Sequence, residues 1–128
     1  MPGRIYLTLA EVTEMHRQLI EQFGGSHGLP DQAGLEAAIF RPQIGYYNGL
    51  TEQAAALMES LANNHVFIDG NKRISQAATD TFLRLNGFYF EVEPQEACDF
   101  ITEHMAKSTF RFILIHEWLA AHIKPLDE

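Results

Sequence analysis

Nine consecutive residues, His65-Val-Phe-Ile-Asp-Gly-Asn-Lys-Arg73, place a base, a carboxylate, a glycine, an amide and two cations in one stretch. His65 carries the one side chain whose unperturbed pKa suits proton abstraction near neutral pH. Asp69 cannot hold a phosphate, but it can hold a hard cation such as Mg²⁺, which takes one or two carboxylates together with phosphate oxygens. Gly70 allows a positive φ or a close backbone approach. The residues after it open a helix whose first N–H groups lack partners, which makes an anion site by geometry. Asn71 can donate its side-chain N–H to a phosphate oxygen, and Lys72 and Arg73 add two positive charges. Phe67 is expected inward, as the anchor of the loop. The bland alternative is a helix–loop–helix corner in which Asp69 or Asn71 caps the second helix, Gly70 turns the chain and the cations are solvated. Each residue alone favours the corner; their coincidence favours chemistry on a phosphate-bearing ligand.

Helical periodicity surrounds this stretch. Thr8-Leu-Ala-Glu11 is a capping box for a helix over 9–23, with Leu9, Val12, Met15, Leu19, Ile20 and Phe23 at helical spacing and Gly24-Gly25 as its stop. Asp31 can cap a shorter helix with Leu35, Ala38 and Ile39 inward, broken before Pro42 because Arg41 is pushed out of the α region. Residues 41–50 read as irregular or as a short hairpin. Thr51 is expected to cap the next helix, whose stripe of Ala54, Ala55, Leu57, Met58 and Leu61 runs to Asn63-Asn64. After the loop, Ile74, Ala77, Ala78, Thr81, Phe82 and Leu85 resume the pattern until Gly87. Phe88 to Glu93 is strand-like, with Arg4-Ile5-Tyr6 as a possible partner. Pro94 opens a helix with Ala97, Phe100, Ile101 and Met105 inward; Ser108 or Thr109 caps the last, carrying Ile113, Leu114, Trp118 and Ala121. The expectation is an all-α domain of about six helices with at most a short β-hairpin.

Composition narrows the function classes. The length of 128 residues fits one domain, read as residues 1–128. Nine Lys and Arg against 17 Asp and Glu give a net charge of −8, which opposes general binding to nucleic acid or anionic lipid. Cys98 is the single cysteine and is expected to be a buried thiol. It can close no intramolecular disulfide, and with no apolar run long enough to span a bilayer the chain reads as cytoplasmic. His16, His27, His104, His116 and His122 show no metal-ligand spacing and read as surface or helix-face residues.

HVFIDGNKR is similar to the signature loop HxFx(D/E)GNxR of the Fic/Doc superfamily, and to the HxFxDGNKR form of its death-on-curing (Doc) branch. The LPDQAGLEAAIFRPQ stretch after the first helix and the terminal Trp118-Leu119 also resemble that branch. The resemblance implies a helical Fic fold, ATP with Mg²⁺, and covalent modification of a hydroxyl side chain on a target protein. His65 and Asp69 are then the catalytic residues, Asp69 the metal ligand, and Gly70, Asn71, Lys72 and Arg73 the phosphate-binding residues.

Adenylyl-transferring members of the superfamily have Gly at the position of Lys72 and a second Arg at that of Gln76. The bulky cation fills space that nucleotide phosphates use there, and the missing guanidinium weakens their clamp. The resemblance therefore points to γ-phosphoryl transfer, by a protein Ser/Thr kinase. It further implies a toxin restrained by a small antitoxin, since the inhibitory [ST]xxxE[GN] motif is missing from the sequence. The implied target belongs to the translation machinery, an elongation factor first, and its modification arrests growth. Segment 41–50, with Gln43, Tyr46 and Tyr47, resembles the flap that lays a target across the site. A Fic-type nucleotidyl transferase and a catalytically silent binding module are the alternatives.

Overall fold

The computed structural model describes residues 3–127. Among them, helices α1 (Leu9–Phe23), α2 (Gln32–Phe40), α3 (Leu50–Asn63) and α4 (Asn71–Leu85) are followed by strand β1 (Phe88–Phe90). Helices α5 (Pro94–Ala106) and α6 (Phe112–His122) and strand β2 (Ile123–Pro125) complete the order. The fold is the helical one expected.

α3 is the spine. Ala54 to Met58, Leu61 and Ala62 are all buried, so the helix is apolar on nearly every side and packs against α2, α4 and α6. One continuous cluster joins it to Val12 and Leu35, to Ile74, Ala78, Phe82 and Leu83, and to Ile101, Phe110, Ile115 and Leu119. Small alanines on α3 let the neighbouring helices approach closely, and the large side chains of α4 and α6 fill the space.

α1 begins as its sequence dictates, with the Thr8 side chain accepting from the Glu11 N–H and the Glu11 carboxylate accepting from the Thr8 N–H. Asp31 caps α2 through the Gly34 N–H. Two other caps fall elsewhere. Thr51 lies inside α3, whose N-cap is Gly49, and the Glu52 carboxylate reaches back to the Asn48 N–H. Neither Ser108 nor Thr109 caps α6; its N-cap is Arg111, and the Phe112 N–H is taken by the Glu59 carboxylate of α3. A partner distant in sequence satisfies the helix end, which local pattern cannot announce.

Arg41 stays in the α region, at φ −50° and ψ −44°, and a 3-10 turn (Arg41–Gln43) follows α2 directly. Its N–H bonds Ala37 O, and its guanidinium donates to Ser60 and the Ala56 carbonyl of α3. These bonds outweigh the bias that Pro42 imposes on the residue before it. No hairpin forms in 41–49. The strand after α4 pairs antiparallel with β2, Phe88 opposite Pro125 and Phe90 opposite Ile123, rather than with the N-terminal segment. Arg4-Ile5-Tyr6 is instead held by Asn86, whose amide donates to Ile5 O and accepts from Ile5 N–H.

Two inward faces also differ from the pattern. On α4, Leu85 is exposed while Ser75, Thr79 and Leu83 are buried; on α6, Ile113 and Ala121 are exposed while Ile115 and Leu119 are buried. Cys98 is half-buried rather than enclosed. No helix of the described residues is long and apolar enough to cross a membrane.

Candidate active site

The connection from α3 to α4 is built on backbone pairing with the segment that follows α1. The Ile68 N–H donates to Gly28 O, the Asp31 N–H to Val66 O, and the Ser26 N–H to the Asp69 carboxylate at 2.8 Å. Glycine suits position 28, where φ is 144° and an added Cβ would stand 2.6 Å from Ile68 Cδ1. Two irregular segments thus hold each other like a short ladder, and the loop is fixed without secondary structure of its own.

Inside the loop, Asn71 clamps Phe67 from both sides. Its Nδ2 donates to Phe67 O at 2.9 Å and its Oδ1 accepts from Phe67 N–H. Phe67 is 2% exposed and stacks on the His16 ring, with centroids 3.7 Å apart and planes 10° off parallel. The inward anchor expected of Phe67 is thereby in place. The Asn71 side chain acts as a brace of the loop, leaving its main-chain N–H to face an anion. Asp69 does not cap α4, so that part of the bland corner reading is not what the chain does.

Gly70 turns the chain into α4 at φ 81°, in the left-handed region. α4 has no side-chain cap, so its first N–H groups remain available. Lys72 and Arg73 are exposed at that end and make no ion pair among the described residues; the Arg73 guanidinium lies over the Phe23 ring at 4.3 Å. Together with Gln76 they line a groove of about 450 Å³ whose apolar wall includes Leu19, Phe23, Val92 and Ile101. Cys98 lies on the same wall.

His65 stands at the other end of the loop. It is exposed, its side chain makes no hydrogen bond among the described residues, and its backbone is left-handed at φ 52°. A non-glycine residue in that region costs about 1–2 kcal/mol, which the surrounding pairing must hold in place. Its neighbour Asn64 lines a second depression with Phe40, Arg41 and Ile44, at the root of segment 41–49. That root is fixed by the Arg41 guanidinium, 2.9 Å from Glu59 and 2.7 Å from the Tyr47 hydroxyl. Burial works against its charge, yet the bonds to Tyr47 and Glu59 prevail and hold its pKa above the ordinary arginine value. Tyr46, 76% exposed, projects into solvent.

His16 is the site residue that the search for metal-ligand spacing misplaced. It was expected on a surface or helix face; it is 3% exposed, and its Nε2 lies 2.7 Å from the Asp69 carbonyl oxygen. The signal available was position, since His16 falls on the inward stripe of α1 between Val12 and Ile20.

The donor set for a metal is a single carboxylate. No cluster of three or more His, Cys, Asp or Glu able to hold an ion occurs among the described residues. Asp69 alone fits Mg²⁺ of the kind that takes most of its ligands from phosphate and water, and does not fit a metal held by the protein by itself.

Over 70 residues, 51% of this chain and 54% of the relative, it is 47% identical to a protein named Toxin Doc from Mycolicibacterium smegmatis. The chain thus spans about half the length of that relative. Over 96 residues, 72% of this chain and 76% of the relative, it is 31% identical to a protein named Protein kinase doc from Escherichia phage P1. The sequence model of the Fic/DOC family matches residues 6–83, which contain α1, the α3–α4 loop and most of α4. The matched span exceeds half of the chain and includes every element that shapes the loop, and the chain belongs to the Fic/DOC family.

Proposed function

We propose that this chain is a Doc-type toxin, a protein Ser/Thr kinase that transfers the γ-phosphoryl group of ATP to a hydroxyl of a translation-machinery protein. The observation that carries the reading is the end of α4. Lys72 and Gln76, one helical turn apart, line the groove beside uncapped helix N–H groups, and in an acidic chain Lys72 and Arg73 are cations without an ion pair among the described residues. The names of the two relatives, a toxin and a protein kinase, support the same assignment.

His65 Nε2 or Nδ1 accepts the proton of the target hydroxyl as its oxygen bonds the γ-phosphorus. The bond from that phosphorus to the bridging oxygen breaks, and ADP leaves with the electron pair. Lys72, Arg73 and the Gly70–Asn71 main chain hold the equatorial oxygens, where charge concentrates during phosphoryl transfer. Asp69 would hold Mg²⁺, which neutralises phosphate charge when bound. Because the ring of His65 is exposed and carries no hydrogen bond among the described residues, it is open to an incoming hydroxyl. The target segment lies over the depression at Asn64, Arg41 and Ile44, with Tyr46 and Tyr47 as its flap. An elongation factor is the proposed target and growth arrest the outcome. The apolar groove with its basic rim suits an amphipathic acidic helix of an antitoxin.

The test is label transfer. Purified protein is incubated with cell lysate, Mg²⁺ and ATP labelled at either the γ or the α phosphate. Label from the γ position on one protein band is the expected result. Label from the α position would replace the kinase by a nucleotidyl transferase, and no label from either would leave a binding module.

A further inference from the structure

We infer that His16 is a positioning residue: from inside the fold it fixes the carbonyl of Asp69, and with it the direction of the Asp69 carboxylate and the start of α4. A carbonyl oxygen only accepts, so the 2.7 Å contact requires a proton on Nε2 of His16. The ring is 3% exposed and stacked face to face on Phe67, so it has one orientation available. The stack fixes the side of the loop that Asn71 clamps, and the hydrogen bond fixes the peptide between Asp69 and Gly70. An added Cβ at Gly70 would sit 3.4 Å from His16 Nε2, so this peptide lies directly on the imidazole edge. Helix α1 and the segment after it thereby set the loop at two points, through His16 and through the Ser26 N–H on the Asp69 carboxylate. A group that orients a ligand-bearing residue without touching the ligand typically changes affinity or activity 10–100-fold when removed.

The inference rests on the reading of Asp69 as the metal residue, and two variants separate its parts. His16→Phe keeps the stacked ring and loses the donor; His16→Gln keeps a donor at the position of Nε2 and loses the ring. The expected result for His16→Phe is a fall of about 10–100-fold in kcat for γ-phosphoryl transfer, with the KM for target protein within about twofold of wild type. His16→Gln should retain kcat within about threefold of wild type. The structural readout needs no activity. Amide hydrogen exchange at Phe67 and Ile68 should accelerate about 5–10-fold in His16→Phe and less in His16→Gln. A wild-type kcat in His16→Phe, or an equal fall in both variants, would overturn the role of the hydrogen bond. If wild-type protein transfers no label, the kinase reading falls, and the exchange rates alone decide whether His16 sets the loop. If neither variant folds, nitrogen NMR of wild-type His16 decides: a slowly exchanging proton on Nε2 is expected, and an unprotonated Nε2 would refute the inference.

Discussion

Arg41 anchors the segment between α2 and α3 through Glu59, Ser60 and Tyr47, whereas the loop between α3 and α4 contains no ion pair among the described residues. The first segment uses a scarce cation for structure and leaves apolar side chains, Ile44 and Tyr46, outside. The second is held by main-chain pairing with residues 26–31, by the Asn71 amide and by a neutral stack of His16 on Phe67. Its cations Lys72 and Arg73 make no ion pair among the described residues, Arg73 lying over the Phe23 ring, and Asp69 accepts from the Ser26 N–H without a cationic partner. A cation neutralised inside the fold is unavailable for an anionic ligand, and one without an ion pair is available. That contrast supports the proposed phosphate site at α4 and the proposed polypeptide surface at 41–49.

The largest expected effect comes from Asp69→Asn, which removes the one carboxylate of the loop and leaves an amide oxygen to accept from Ser26. Metal-linked charge stabilisation is worth several kcal/mol, so label transfer should fall about 10²-fold or more while the melting temperature changes little. Equal transfer by this variant would place the metal elsewhere. Glu59→Ala should act in the opposite sense. It strips the partner of a half-buried guanidinium and the acceptor of the Phe112 N–H, and should cost about 1–3 kcal/mol in urea denaturation. A loss below about 0.3 kcal/mol would mean that the ion pair is not what holds segment 41–49.

Gly70→Ala should destabilise by about 1–2 kcal/mol, because the residue must keep a φ of 81° with Ile20 Cδ1 at 3.3 Å from the new carbon. Calorimetric unfolding reads it directly, and an unchanged melting temperature would show that the loop readily takes another turn. His65→Asn has the smallest expected effect on stability. Asparagine tolerates the left-handed region better, so stability should rise by about 0.5 kcal/mol while transfer is lost. A loss of stability instead would mean that the histidine ring contributes packing the loop depends on.

The helices were legible because their signals are local: the capping box at Thr8–Glu11, the alanine stripe of α3 and the glycines at 24, 70 and 87. Residues 65–73 stood out as a candidate site for the same reason, being contiguous. What escaped was whatever depends on a partner far along the chain. Glu59 replaces Ser108 or Thr109 at the start of α6 from 53 positions away, and β2 rather than Arg4–Tyr6 completes the sheet. His16 escaped because a histidine on an inward stripe is ambiguous until its acceptor, Asp69 O, is known. Asn71 was read as a phosphate donor or a helix cap, although Phe67 uses both ends of its amide.

In the proposed function His65, exposed, strained and without a side-chain hydrogen bond among the described residues, is the proton acceptor of a phosphoryl transfer at this loop. Single-turnover transfer of γ-label by wild type and His65→Ala, each first shown to melt at the same temperature, tests it most directly. A fall of about 10²–10⁴ in rate is the result expected of a lost general base. A variant that labels its target at the wild-type rate would contradict the claim and move the base to another residue.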